Sequence, residues 1–227
     1  MLRLRGRQMS MTVSLLTIKY SQQSPINPMQ RLRQTPSQTV GPFFAYSLTA
    51  RQYGYPYDSI MGHALLGPAT PGQHILITGR VLDGQGAPVP DAVVELWQAD
   101  AQGRYRTAPI SLQDDDGTEF TGFGRVGTGT QPGAKFEFET IKPGAIAAGQ
   151  APHINVVLFM RGSLHALHTR LYFSDEAAAN VQDELLNAVP AERRQTLLAH
   201  AATGFNRPCY HFDIQLQGEE ETVFFQL

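Results

Sequence analysis

A β-sandwich carrying short helical insertions is the fold class that the sequence predicts. Three observations lead there. From residue 73 onward, apolar and β-branched runs of strand length recur, with Gly- and Pro-rich breaks between them. One of these runs, Lys135 to Ile141, alternates strictly, with Phe136 and Phe138 on one side and Glu137 and Glu139 on the other. Helical patterning is confined to one stretch after Asp175. Seven or eight strands joined by turns suit a sandwich or barrel.

In chain order, Gln73 to Asp83 reads as a strand ended by Gly84-Gln85-Gly86 and Pro88. Asp91 to Gln98 follows, then a loop from Thr107 to Gly133 that is rich in Asp, Gly and Thr. After Lys135 to Ile141 comes His153 to Phe159, whose near-continuous apolar run predicts burial on both faces. Thr169 to Phe173 is the next strand. Asp175 then suits the cap of a helix through Ala177, Ala178, Val181 and Leu185. Pro190 suits the first turn of a second helix, Ala191 to Ala199. Tyr210 to Leu216 and Thr222 to Leu227 complete the strands. No internal repeat is visible.

A hydrophobic fraction of 42% over 227 residues fills a core without disulfides. The one cysteine, Cys209, excludes an intrachain disulfide and fits a reducing cytoplasm. A formal net charge of −2 gives no reason to expect a nucleic-acid partner. No apolar run approaches the roughly 20 residues that cross a membrane. Residues 1–34 hold six basic residues, Arg3, Arg5, Arg7, Lys19, Arg31 and Arg33, and no acidic one. They read as a disordered extension or the product of an upstream start codon, with Met29 a sensible true start. A transit-like peptide is the alternative.

The candidate chemistry is thin when read from residues alone. His153-Ile154-Asn155 lies on a strand, so positions 153 and 155 share a face. A His-x-His pair there would offer two imidazoles to one ion, but asparagine is a weak transition-metal ligand. His153 alone reads as a buried, hydrogen-bonded histidine. His165 and His168 have the wrong spacing for a strand pair. Trp97 reads as core, and Tyr105 as a packed aromatic with a wet hydroxyl. Asp114-Asp115-Asp116 lacks the EF-hand pattern and reads as a solvated loop. Gly122-Phe123-Gly124-Arg125 precedes no helix and is no phosphate loop. No Gly-x-Ser-x-Gly elbow supports a hydrolase.

Ordered motifs add a resemblance. Thr35-Pro36-Ser37-Gln38-Thr39-Val40-Gly41-Pro42-Phe43-Phe44 is followed by Glu95-Leu96-Trp97-Gln98-Ala99-Asp100 and Phe123-Gly124-Arg125. Ile141-Lys142-Pro143-Gly144, Ala151-Pro152-His153-Ile154 and His168-Thr169-Arg170-Leu171-Tyr172-Phe173 continue the series. Gln217-Gly218-Glu219 and Glu221-Thr222-Val223-Phe224-Phe225 end it. From about residue 35 to the end, the chain resembles the intradiol ring-cleavage dioxygenase family. Within that family it resembles the iron-free α-subunit branch of the enzymes that act on protocatechuate.

The resemblance implies a division of labour. Catalytic subunits of the family hold Fe(III) with two tyrosinates and two histidines, donors that suit a hard ferric ion. Tyr105 matches the first tyrosine and His153 the first histidine. Ile146 stands where the second tyrosine is expected, after Lys142-Pro143-Gly144, and Asn155 where the second histidine is expected. With two of four ligands gone, the chain is expected to bind no metal of its own. The Fe(III) would sit in a partner β subunit, the two forming a hetero-oligomer of αβ units. The assembly would convert protocatechuate and O₂ to 3-carboxy-cis,cis-muconate, in the β-ketoadipate route of aromatic degradation. Thr39, Gly41 and Pro42 match a segment bordering the partner's substrate pocket. Arg161 matches an arginine near the same pocket; from its place alone it reads equally as a strand-end ion pair. The domain is accordingly 35–227, a β-sandwich of the intradiol type with an N-terminal pocket-bordering arm, and the location cytoplasmic. Two rival readings are a self-sufficient intradiol dioxygenase with altered ligands and a non-enzymatic β-sandwich binding module.

Overall fold

The computed structural model of the chain describes residues 41, 43–59, 61–106 and 120–226. All belong to the unit Ser37–Leu227. Among the described residues nine strands follow one another: β1 (His74–Leu82), β2 (Val93–Gln98), β3 (Phe123–Gly127), β4 (Lys135–Ile141), β5 (His153–Phe159), β6 (Leu167–Phe173), β7 (Leu198–Ala202), β8 (Cys209–His211) and β9 (Ile214–Gln215). Three short helices accompany them: α1 (Phe44–Leu48), α2 (Ala177–Asn180) and α3 (Glu184–Ala188).

The strands run in the order β3-β2-β5-β6-β7-β8-β1-β4, with β9 paired beside β1. β7 is the corner. It pairs parallel with β6 through Tyr172 and Phe173, and antiparallel with β8 through His200 to Ala202. The sheet therefore folds into two layers that share one core. Ile75 and Ile77 of β1 and Phe136 and Phe138 of β4 come from one layer. Val94 and Leu96 of β2 and Ile154, Val156 and Leu158 of β5 come from the other. The predicted alternation of β4 holds, with both phenylalanines buried and Glu137 exposed.

Several expectations are corrected. β5 is buried on one face, not two: Ile154, Val156 and Leu158 enter the core, while Asn155, Val157 and Phe159 line a partly open outer face. The same parity turns Trp97 outward, because Leu96 and Gln98 take the inner positions. Trp97 is 49% exposed and is not core.

Asp175 caps no helix. Its carboxylate instead accepts from Lys142 Nζ at 2.9 Å and from the Tyr210 hydroxyl at 2.7 Å. The helix expected through Leu185 breaks after Asn180, leaving Val181 exposed, and Asp183 caps a new one by accepting from Leu186 N. Residues Ala191–Leu197 form a 3₁₀ helix, and Pro190 sits just before it instead of in its first turn. The expected helix end, Leu198 and Ala199, opens β7.

The predicted strand Tyr210 to Leu216 splits at Phe212–Asp213. There the Asp213 carboxylate accepts from Arg80 N at 2.8 Å and from Arg80 Nη2 at 2.9 Å, taking a backbone donor that a continuous ladder would use. Of the strand expected from Thr222 to Leu227, the described residues form one bridge to the sheet, Phe225 with His168. The long loop expected from Thr107 to Gly133 contains β3, and residues 107–119, with Asp114-Asp115-Asp116, lie outside the described residues.

Candidate functional site

The resemblance singles out four positions, which gather on the outer face of the β2-β5-β6 layer and the loops above it. Register explains how. Trp97 of β2 pairs with Asn155 of β5, and Asn155 pairs with Arg170 of β6. One step along, His153 pairs with Tyr172. Cross-strand partners share a face, so Trp97, Asn155, Arg170, His153 and Tyr172 form a continuous patch.

Tyr105 is brought in by the turn after β2. Asp100 organises that turn, accepting from Gln102 N at 2.8 Å and Arg104 N at 3.0 Å, in addition to the Arg104 side chain. Burial of the Asp100 carboxyl works against its charge, but these donors outweigh it and hold its pKa below the usual range. Gly103 completes the turn at φ 77°, where a Cβ would run into the Ala145 carbonyl. Tyr105 thereby stacks on Trp97 with ring centroids 4.5 Å apart. Its hydroxyl accepts from Asn155 Nδ2 at 2.9 Å. Ile146 lies in the neighbouring loop, half-buried, and carries no donor atom.

His153 is 3% exposed, and its Nδ1–H donates to the Ala151 carbonyl at 2.8 Å. That bond leaves a lone pair on Nε2, which has no partner among the described residues. Burial pushes the imidazole below its ordinary pKa, with the Ala151 bond opposing and the Arg170 charge adding to the depression. The buried, hydrogen-bonded histidine read from the sequence is what the fold contains.

A relay of three residues runs from the patch to a buried carboxylate. Arg170 Nε donates to Asn155 Oδ1 at 3.2 Å and Nη1 to the Tyr172 hydroxyl at 3.5 Å. Tyr172 donates in turn to Asp183 Oδ1 at 3.1 Å. Burial pushes the Tyr172 phenol up to about 12, so it is a neutral donor at neutral pH. Asp183, fully buried, also accepts from Ala151 N at 2.8 Å and Leu186 N at 2.8 Å. The sequence reading missed this relay. The available signal was parity: Arg170 and Tyr172 stand two apart on a strand, as do His153 and Asn155.

These residues do not fit a ferric ion. A tyrosinate would have to forgo the Asn155 bond, Ile146 supplies nothing, and Asn155 already spends its amide on Tyr105, the Trp97 carbonyl and Arg170. Of the four positions, His153 Nε2 and Tyr105 Oη remain as donors, beside a fixed guanidinium.

Of the residues expected to border a partner's pocket, Gly41 and Arg161 are described. Gly41 is exposed, with open space around the position of its missing Cβ, and its carbonyl accepts from Phe44 N at 3.1 Å. Thr39 and Pro42 lie outside the described residues. Arg161 follows β5 and forms an ion pair with Asp91, away from the Tyr105–Asn155 patch.

Comparison with known proteins agrees with the motif reading. A family model described as "Dioxygenase" matches residues 58–218. The chain is 52% identical over 200 residues to the protocatechuate 3,4-dioxygenase alpha chain of Burkholderia cepacia, covering 88% of this chain and all of that one. It is 33% identical to the protocatechuate 3,4-dioxygenase beta chain of the same organism, over 66% of this chain and 67% of that one. Among solved structures, the dioxygenase domain of a dioxygenase carbohydrate-binding protein fusion from Streptomyces sp. SirexAA-E superposes with a TM-score of 0.53. It is 27% identical and covers 84% of this chain and all of that one.

Proposed function

The chain belongs to the intradiol dioxygenase family, and we propose that it is the iron-free α subunit of a protocatechuate 3,4-dioxygenase. One observation carries the reading: a family fold whose four ligand positions have become Tyr105, Ile146, His153 and Asn155, with the Asn155 amide bonded to the Tyr105 hydroxyl. Phenolate coordination and that bond compete for the same oxygen.

The catalytic Fe(III) then belongs to a β subunit, and this chain contributes from outside the metal's coordination sphere. Thr39, Gly41 and Pro42 border the partner's substrate pocket. Arg161 supplies positive charge toward the substrate carboxylate. The reaction joins protocatechuate and O₂ into 3-carboxy-cis,cis-muconate, with both oxygen atoms retained in the product. The assembly is a hetero-oligomer of αβ units. The buried thiol of Cys209 fits a cytoplasmic location; among the described residues, no helix is long and apolar enough to cross a membrane.

The test is co-production of the chain with its β chain. Expected are co-elution in gel filtration, iron in proportion to β chain only, and protocatechuate-dependent O₂ uptake. Stoichiometric iron with the red tyrosinate–Fe(III) colour in the isolated chain would support the self-sufficient dioxygenase instead. Failure to associate with any ring-cleaving partner would leave the binding module.

A further inference from the structure

We infer that Arg170 is a resident cation of the former metal site, and that its guanidinium bars a metal ion independently of the two missing ligands. The inference rests on the family reading above and adds to it. Ligand loss explains weak binding; Arg170 makes the site hostile to a cation even where ligands are restored.

Register comes first. Arg170 lies directly opposite Asn155 in the β5–β6 ladder, so its side chain rises on the same face as both vestigial ligand positions on β5. The hydrogen bonds follow from that placement. Arg170 Nε donates to Asn155 Oδ1 at 3.2 Å, while Asn155 Nδ2 donates to Tyr105 Oη at 2.9 Å. An amide can accept from a cation and donate to a phenol at once; a metal-ligating imidazole cannot do both. Asparagine at 155 is therefore matched to an arginine at 170 and not merely a lost histidine.

Charge completes the argument. Tyr172 accepts from Arg170 and passes its own proton bond to the buried Asp183 carboxylate. The guanidinium thus has a counter-charge one phenol away, and that carboxylate is locked by Ala151 N and Leu186 N. The patch is already balanced. A ferric ion would enter beside a fixed guanidinium, a positive charge with donors and no lone pair to offer a metal. The lone pair on His153 Nε2 is left facing a site without room, electrostatically, for a second cation.

The experiment restores ligands with and without the charge, in the complex co-produced with the β chain. I146Y/N155H, I146Y/N155H/R170Q and I146Y/N155H/R170K are compared for iron per αβ pair above the unmodified complex, and for added tyrosinate–Fe(III) absorption. Expected is a gain only in the R170Q form, with at least tenfold tighter Fe(III) binding than in the other two. Equal gain in I146Y/N155H, no gain in the R170Q form, or equal gain in the R170K form overturns the inference. A gentler pair keeps it falsifiable if the triple variants fail to assemble. Co(II) titration of N155H against N155H/R170Q should show at least tenfold weaker binding while Arg170 is present, and equal affinities overturn the claim. Failure of the family reading would look different, as metal uptake by the unmodified chain.

Discussion

Arg161 leaves the end of β5 and meets Asp91, with its side chain 59% exposed. An ion pair that open adds about 0–1 kcal/mol to stability, so its loss should not unfold the chain. The same guanidinium held against a substrate carboxylate at a subunit boundary is partly desolvated, and such a contact is worth about 1.5–3 kcal/mol. Replacing Arg161→Ala in the assembled complex should therefore lower kcat/KM for protocatechuate by about 10- to 150-fold. Catechol, which lacks the carboxylate, should lose less. Steady-state kinetics on both substrates, after gel filtration has shown intact assembly, checks this; unchanged kinetics would leave Arg161 as the Asp91 ion pair alone. At this scale the sequence was legible where short spacing carries the meaning. His153 and Asn155 are two apart on one strand, and Tyr105 follows the β2 turn directly. The parity of Arg170 with Tyr172 was legible, but its place against Asn155 was not, because only the cross-strand register sets it there.

Among the elements, the β8–β9 break shows how a side chain can end a strand. Asp213 grips Arg80 of β1 through both backbone and guanidinium, and His211 Nε2 lies 3.1 Å from the same carboxylate. Burial works against the Asp213 charge, but the Arg80 bonds and neighbouring His211 outweigh it and hold the pKa below the usual range. The unfolded carboxyl binds a proton more readily than the folded one, so the contribution is present above the unfolded pKa. It is lost as pH falls through the lowered folded pKa. Asp213→Asn should cost about 1.5–3 kcal/mol at neutral pH, and each kcal/mol corresponds to about 2–4 °C of Tm in a chain of this size. It should also flatten the loss of Tm between about pH 5 and pH 3. Thermal melts across that range decide it; parallel pH profiles for the two proteins would refute the assignment. The same place explains what sequence patterning left out. Tyr210 to Leu216 looks continuous because the break comes from Arg80, some 130 residues away in the chain. Leu198 and Ala199 looked like the end of the helix Ala191 to Ala199, yet pairing with β6 makes them the start of β7. β1, β4 and β5 needed no such help to be read as strands, although the apolar run of β5 overstated its burial.

For the whole molecule, the outer extremities and the open faces carry different expectations. Residues 1–28 are basic, aperiodic and outside the family resemblance, so deleting them should leave assembly and activity intact; a large activity loss in the truncated complex would show otherwise. The open faces should matter far more. Phe43 is 72% exposed, and Tyr46 and Tyr55 are exposed with it, the Tyr46 ring 6.3 Å from that of Phe43, 6.2 Å from that of Tyr55 and edge-on to Tyr53 at 4.6 Å. Trp97 stands out from the β2-β5-β6 face in the same way. Several large aromatics close together on a surface mark a contact region, and leaving them wet favours self-association. In an αβ assembly they would be covered, and obligate interfaces of this kind bury about 2,000–5,000 Å². The chain produced without its β chain should therefore aggregate or melt at a lower temperature than the complex, whose Tm should rise with protein concentration. Light scattering and melting curves on the isolated chain and on the complex, at matched concentrations, make the comparison. A monodisperse monomer that unfolds cooperatively at the temperature of the complex would mean that the aromatic surface needs no partner, and that the sandwich is sufficient by itself.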